Sequence, residues 1–355
     1  MSVLAEWTPG GSSSDWTRPG AEEISERIFR IPLPLPSDGL KAVNAYLILD
    51  SGGPVLIDPG WSTGPGRTEL ERQMRRVGIA PSEIRRSLVT HVHRDHYTQA
   101  VALRREFGTP IALGIGEEAS VRSLLRPETK PLDGVLEVLR RAGAVELAQS
   151  LGLEQTYPDP EDYEPPDQWL QAPVDVELAD RTLGAIATPG HTQGHIVFHD
   201  AQAGLLFAGD HVLPHITPSV GFEPVQVEAP LRDYIASLQL MREIPDTRLL
   251  PAHGPVIDST HARVVQLLDH HDVRLAQMQE IALGGAATAW DVALQMPWTR
   301  HQRPFTALDA FNQMMAVLET ESHLQVLAAQ GRLRAVHTDG RTEYVAPPVD
   351  GDQGA

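Results

Sequence analysis

The chain alternates short apolar runs with amphipathic stretches, the order that builds layers of strands and helices. Its opening is strand-like. Residues 28–35 and 43–49 are apolar or alternating runs, and 54–57 is another that ends at Asp58-Pro59-Gly60. Leu70, Met74 and Val77 then recur at helical spacing, with Gly78 as the stop. Arg86 to Val89 reads as a buried strand, 95–107 as a helix with Gln99, Ala100, Leu103 and Phe107, and 110–113 as the next strand. Between 116 and 173 the pattern changes. Val135, Leu136, Val138, Leu139, Ala142 and Val145 predict a helix, followed by a Pro-, Asp- and Glu-rich run from Tyr157 to Pro166. This is a helical insertion with an extended return, either a lid over a site or an idle surface excursion. Strands resume at 174–178, 182–188, 196–199 and 204–208, and a helix over 231–242 precedes a strand end at Leu249-Leu250.

After about residue 258 the chain turns helical. Regions 261–283, 289–296 and 307–330 are punctuated by Gly284-Gly285 and Gly331. Two short runs, 333–336 and 342–345, flank Asp339-Gly340, a strong hairpin signal. The 355 residues exceed one typical domain, so a large domain over 21–258 and a small one over 259–347 are expected. Residues 1–20 read as a loose arm without the order of a signal peptide, and 348–355 as a tail.

Charge and composition narrow the function. The formal net charge is −18, and lysine occurs only at Lys41 and Lys130. An acidic surface opposes nucleic acid, whose affinity comes largely from phosphate neutralisation. No apolar run is long enough to cross a membrane. Cysteine is absent, which removes disulfides, thiolate metal sites and a Cys nucleophile, and fits a cytoplasmic location.

The candidate chemistry lies at strand ends. Thr90-His91-Val92-His93-Arg94-Asp95-His96 puts three imidazoles and a carboxylate on the turn between a strand and a helix. Imidazole and carboxylate are the ligands Zn²⁺ takes when no thiolate is offered. Thr188-Pro189-Gly190-His191-Thr192-Gln193-Gly194-His195, then Gly209-Asp210-His211, then Ala252-His253-Gly254 follow three further strands. These groups converge only if the strand ends share one edge.

In that order, these motifs together with Leu56-Ile57-Asp58-Pro59-Gly60 resemble the metallo-β-lactamase fold hydrolases, over roughly residues 25–258. The resemblance implies an α/β fold, a four-layered αββα sandwich. It also implies two divalent metal ions, most often zinc, with iron or manganese as alternatives. His91, His93 and His191 would hold the first ion, and Asp95, His96 and His253 the second. Asp210 would bridge them, and Asp58 would orient a ligand imidazole from behind. Many relatives have small residues after the HxHxDH run. Tyr97-Thr98-Gln99 stand here instead, which bears on the shape of the entrance.

Such ions bring water to a pKa of roughly 7 and stabilise an oxyanion, so Asp95 and Asp210 are the candidate catalytic carboxylates. His195 is expected beside the ligands rather than among them, and His215 as a substrate contact. His270 and His271 are expected on a solvated helix face. The three C-terminal helices and the hairpin resemble a winged-helix module found in one branch of the superfamily, here expected in packing, dimerisation or forming a site wall rather than in nucleic-acid binding. A homodimer is left open. The expected substrate is a small-molecule thioester, ester or lactone. The alternatives are a phosphodiesterase or ribonuclease, and a non-catalytic metal-binding regulatory protein.

Overall fold

The computed structural model describes residues 15–36, 39–154, 159, 161–299 and 301–348. Strands β1 (Glu22–Ser25), β2 (Ile28–Pro34), β3 (Ala42–Ile48), β4 (Val55–Ile57), β5 (Arg86–Val89), β6 (Ile111–Gly114) and β7 (Gln168–Leu170) form one sheet in chain order. The first four are antiparallel, and β4 to β7 are parallel. A second sheet has the order β12-β11-β10-β9-β8, from β8 (Val174–Glu177), β9 (Thr182–Ala187), β10 (Ile196–Asp200), β11 (Leu205–Gly209) and β12 (Arg248–Pro251).

The pleat sorts side chains into layers, because neighbours along a strand face opposite ways. Tyr46, Ile48, Val55, Ile57, Leu88 and Ala112 point to the second sheet and meet Phe198, Leu205, Phe207 and Leu250 there. Their alternates Leu47 and Leu56 pack on Leu70 and Met74 of α1 (Gly64–Arg76). Val89, Ile111 and Leu113 pack on Tyr97, Ala100 and Val101 of α2 (Arg94–Phe107). On the far side, Val197, Leu206, Ala208 and Leu249 of the second sheet are covered by helices. The expected four-layered αββα sandwich is present.

The parallel connection from β6 to β7 must cross over, and it does so through α3 (Glu118–Leu124), α4 (Asp133–Arg141) and α5 (Val145–Glu154). The insertion read over 116–173 therefore contains β7, a strand too short to register as a periodic run. Its helical part is split at Gly143, whose φ is +92°. Tyr157, Pro158 and Pro160 of the expected extended return lie outside the described residues, as do residues 1–14 of the arm and nearly all of the tail.

The outer layer over the second sheet combines α6 (Pro230–Met241), α7 (Thr260–Leu283), α8 (Ala289–Gln295) and α9 (Ala310–Ala329). Val135, Leu136 and Leu139 of α4 and Leu147 of α5 share that cluster with Leu324 and Leu327 of α9, and the Trp290 amide donates to the Ala142 carbonyl at 3.0 Å. The insertion thus rests on the C-terminal helices. The hairpin of β13 (Arg334–Thr338) and β14 (Arg341–Val345) turns at Asp339 and Gly340, both at positive φ as a two-residue turn demands. His271 departs from the expected solvated face. It is buried against Tyr234 and His323 because α9 covers that side of α7, while His270 is only partly exposed.

Candidate metal centre

Each donor stands just past a strand end, and all of those ends lie on one edge of the two sheets. His91 follows β5, His93 caps α2, and Asp95 and His96 lie in its first turn. His191 sits between β9 and β10, Asp210 follows β11, and His253 follows β12. Asp58, after β4, has a φ of +48°, a left-handed conformation that Asp tolerates better than most residues. Gly209 has a φ of +50°, and a Cβ there would stand 2.5 Å from the Thr90 hydroxyl and 2.7 Å from His195 Nε2. Only glycine brings Asp210 this close to the His91 turn.

The hydrogen bonds fix which nitrogen of each histidine carries the proton. His253 Nδ1 donates to the Ala42 carbonyl at 2.8 Å, and His191 Nδ1 to that of Ser219 at 2.7 Å. His93 Nε2 donates to the Phe222 carbonyl at 2.7 Å, and His96 Nδ1 to Asp58 at 3.0 Å. The Thr90 hydroxyl donates to Asp58 at 2.8 Å and so accepts from His91 Nδ1 at 3.0 Å. Five bare lone pairs then point inward. His191 Nε2 stands 3.2 Å from His91 Nε2 and 3.1 Å from His93 Nδ1. With every proton already committed outward, these three lone pairs repel unless a cation sits among them. His96 Nε2, His253 Nε2 and Asp210 Oδ1 are buried without hydrogen-bond partners among the described residues, an arrangement a metal ion satisfies and water alone does not.

The donors form two groups, His91-His93-His191 and Asp95-His96-His253, with a third, His91-His96-Asp210, spanning them, each compact enough for one ion. Asp210 touches both. Its Oδ2 lies 3.5 Å from His191 Nε2, and its Oδ1 lies 3.4 Å from His253 Nε2 and 3.8 Å from His96 Nε2. Asp95 Oδ2 is 3.4 Å from His253 Nε2. Burial pushes His91, His93 and His191 down, His93 to about 3, so they stand neutral as ligands must. Burial also acts on His96, yet the carboxylates of Asp95, Asp210 and Asp58 around it raise it to about 10, so its Nε2 is bare only once a cation takes the place of a second proton. For Asp95, burial opposes the charge, but His96 and His253 hold the carboxyl well below the usual carboxylate range.

His195 belongs to neither group. Its Nδ1 meets the Thr188 hydroxyl at 2.9 Å, and its Nε2 accepts the Asp210 amide at 3.2 Å. His195→Ala is therefore expected to cost about 1–3 kcal/mol of stability and to leave most metal bound, whereas His191→Ala loses it. Elemental analysis beside thermal melts checks this, and equal metal loss in the two variants would refute it. His215 is exposed beside Gly254, on the rim next to His253. Tyr97 does not shape the entrance. It is buried on the far side, with its hydroxyl on the Glu164 carbonyl at 2.6 Å.

Several contributors escaped the sequence reading. The carbonyls of Ala42, Ser219 and Phe222 orient ligands but leave no side-chain signature. Thr90, adjacent to His91, was legible as a candidate only once Asp58 was known to face it. Glu117 lies behind the His191 turn, accepting from the Thr192 hydroxyl, with Glu223 beside it holding the Gln193 amide at 3.0 Å. Burial, then Glu223, pushes Glu117 up to about 8. A carboxyl raised in the folded state contributes stability that is full below its unfolded value and is lost as pH rises through the folded one. Histidines held down by burial act in the opposite sense, so the expectation is for the gap in melting temperature between Glu117→Gln and the wild type, which should shift in favour of the variant from pH 5.5 to pH 8.5. Melts of both proteins at the two pH values check it. An unchanged gap would mean Glu117 is not the group responsible.

The family model for the metallo-beta-lactamase superfamily matches residues 38–253, more than half of the chain. The probable metallo-hydrolase YqjP of Bacillus subtilis is 23% identical over 337 residues, covering 90% of this chain and 98% of that protein. An atrochrysone carboxyl ACP thioesterase of Aspergillus fumigatus is 27% identical over 265 residues, 73% of this chain and 66% of that protein. The crystal structure of a beta-lactamase domain protein from Burkholderia ambifaria superposes with a TM-score of 0.78 at 27% identity, covering 94% of this chain and 96% of that one. The converging imidazoles, the layered sheets beneath them and the match over 38–253 agree, and the chain belongs to the metallo-β-lactamase superfamily.

Proposed function

We propose that the protein is a dinuclear metal-dependent hydrolase of a carboxylic derivative, a thioester, ester or lactone. The observation that carries the reading is Asp210, whose two oxygens face two separate sets of imidazole lone pairs. His91, His93 and His191 would hold one divalent ion and Asp95, His96 and His253 the other, with Asp210 between. Zinc suits this nitrogen- and oxygen-donor set best, and iron and manganese also accept it. When bound, two such ions lower the pKa of water and offset the negative charge that develops on the attacked oxygen.

The chain's own residues supply the rest. Asp95 stays ionised against its burial, as a metal ligand must, with its Oδ2 turned to the Nε2 atoms of His96 and His253. Thr90 and Asp58 lock His91 and His96 in the tautomers that leave Nε2 bare. Phe222 stands 6.0 Å ring to ring from His93 and meets the half-exposed Phe311 of α9 edge-on at 5.8 Å. That apolar wall suits an acyl group better than a phosphate. Arg263 of α7 donates to the carbonyls of Leu213 and Ile216, so the C-terminal helices brace the loop beside the centre. The acidic surface and the thioesterase name of one relative support the same choice.

A panel of acyl-CoA, a lactone and bis-p-nitrophenyl phosphate tests the reading, with metal content measured on the same sample. Turnover of an acyl substrate and two metals per chain are expected. Turnover of the phosphodiester alone would replace this reading with the phosphodiesterase one. A stoichiometry that stays below one after metal is supplied would sink the dinuclear centre.

A further inference from the structure

Glu117 and Glu223 are buried, and no cation among the described residues acts on either carboxyl. Burial without a counter-charge is costly. Both side chains reach the turns that carry the imidazoles. Glu117 Oε1 accepts from the hydroxyl of Thr192, one residue after His191. The Val92 amide, between His91 and His93, acts on the same carboxyl in the sense that favours its charge. One side chain thus serves both turns of the His91-His93-His191 set. Glu223 Oε1 accepts the Gln193 amide at 3.0 Å, and its Oε2 the Ser120 hydroxyl of α3 at 3.2 Å. Glu223 also ends the loop whose Ser219 and Phe222 carbonyls hold His191 and His93, each at 2.7 Å. The Gly221 amide of that loop donates to the Gly190 carbonyl at 3.0 Å.

The backbone is packed for this contact. A Cβ on Gly194 would stand 2.1 Å from the Glu117 nitrogen, and one on Gly116 would stand 2.7 Å from the Gly194 Cα. Only glycines let the short turn Ile115–Glu117 lie this close to the turn after His191. The groups that face the two carboxyls are donors, which acceptor oxygens satisfy and an alanine does not. The other set has supports of its own, since His96 Nδ1 is held by Asp58 and His253 Nδ1 by the Ala42 carbonyl. We propose that Glu117 and Glu223 are positioning residues for the first metal site. They brace His91, His93 and His191 and set the affinity of that trio for its ion, while the Asp95-His96-His253 set is left to its own supports. The inference rests on reading the trio as ligands, and it needs neither a substrate nor a reaction.

Zinc alone is the probe, titrated into the full chain while imidazole ¹⁵N resonances are followed residue by residue. In the wild type the resonances of both sets are expected to move. In Glu117→Ala, and separately in Glu223→Ala, the affinity of the first set is expected to fall by about 10- to 100-fold relative to that of His96 and His253. Glu117→Gln keeps an oxygen for the Thr192 hydroxyl and should recover most of that loss, as a brace would. Equal weakening of the two sets would mark a general loss of structure and overturn the assignment. An unchanged ratio of affinities in either alanine variant would remove that residue from the brace. Should the alanine variants fail to fold, Thr192→Val decides, because it removes only the hydroxyl that Glu117 holds. Selective weakening of the first set is again expected there, and an unchanged ratio overturns the proposal. Resonances of His91, His93 and His191 that stayed put in the wild type would refute the ligand reading itself. That result is distinct from a trio that binds zinc and is indifferent to Glu117.

Discussion

Asp210→Ala is expected to lower both metal content and turnover, the latter by more than a hundredfold. Asp210 is the only carboxylate among the described residues whose oxygens face both donor groups. Its charge offsets that of the ions, and its two oxygens set their separation. Without it, His96 and His253 keep only Asp95 as a carboxylate between them. A loss of about 3 kcal/mol of transition-state stabilisation is already more than a hundredfold in rate. Elemental analysis and kcat/KM on the same preparation check this. Asp210→Asn keeps the shape and one carbonyl oxygen, so partial metal retention with similarly poor turnover is expected there. An Asp210→Ala protein that kept two metals per chain and activity within tenfold would remove the bridge from the proposal.

Replacing residues 128–154 by a short glycine linker is expected to cost the fold rather than merely open the site. A removable flap would leave metal in place and alter only the choice of substrate. The packing argues otherwise. Val135, Leu136, Leu139, Leu147 and Leu151 are buried in the cluster that also holds α9. At roughly 1.5–3 kcal/mol each, their burial amounts to about 10 kcal/mol, comparable with the whole stability of a typical domain. The shortened chain should therefore lose its cooperative thermal transition or melt far below the wild type. Leu139→Ala, a single truncation of the same face, should cost about 2–5 kcal/mol. If the shortened protein melted within a few degrees of the wild type, α4 and α5 would be an appendage after all, and the test of substrate choice could be made on them directly.

Legibility followed local signal. Strands such as β2, β3 and β5 were evident because period-two or continuous apolar runs mark them, and Gly78, Gly284 and Asp339-Gly340 punctuate the chain where the backbone turns. The donors His91, His93, Asp95 and His96 share one short turn, so their convergence was visible without a fold. β7 escaped because three residues carry no period, and its place in the sheet depends on pairing with β6. The face of α7 that carries His271 reads as solvated because its cover, α9, lies some fifty residues away.

What the sequence by itself determined was the order of strands and helices and the ligand-type residues, since strand period, glycine stops and the HxHxDH spacing are local properties, while the αββα layering followed only from the resemblance those motifs carry. Only the tertiary structure decided which nitrogen of each imidazole is bare, because that depends on the carbonyls of Ala42, Ser219 and Phe222, each distant in sequence from the ring it holds. It alone also decided that the insertion rests on the C-terminal helices, since an apolar face states that it must be buried but not against what. The same holds for the brace behind His91, His93 and His191. Glu117 and Glu223 are unremarkable apart, and they meet the turn after His191 only where packing brings α3 and the loop over 219–223 against it.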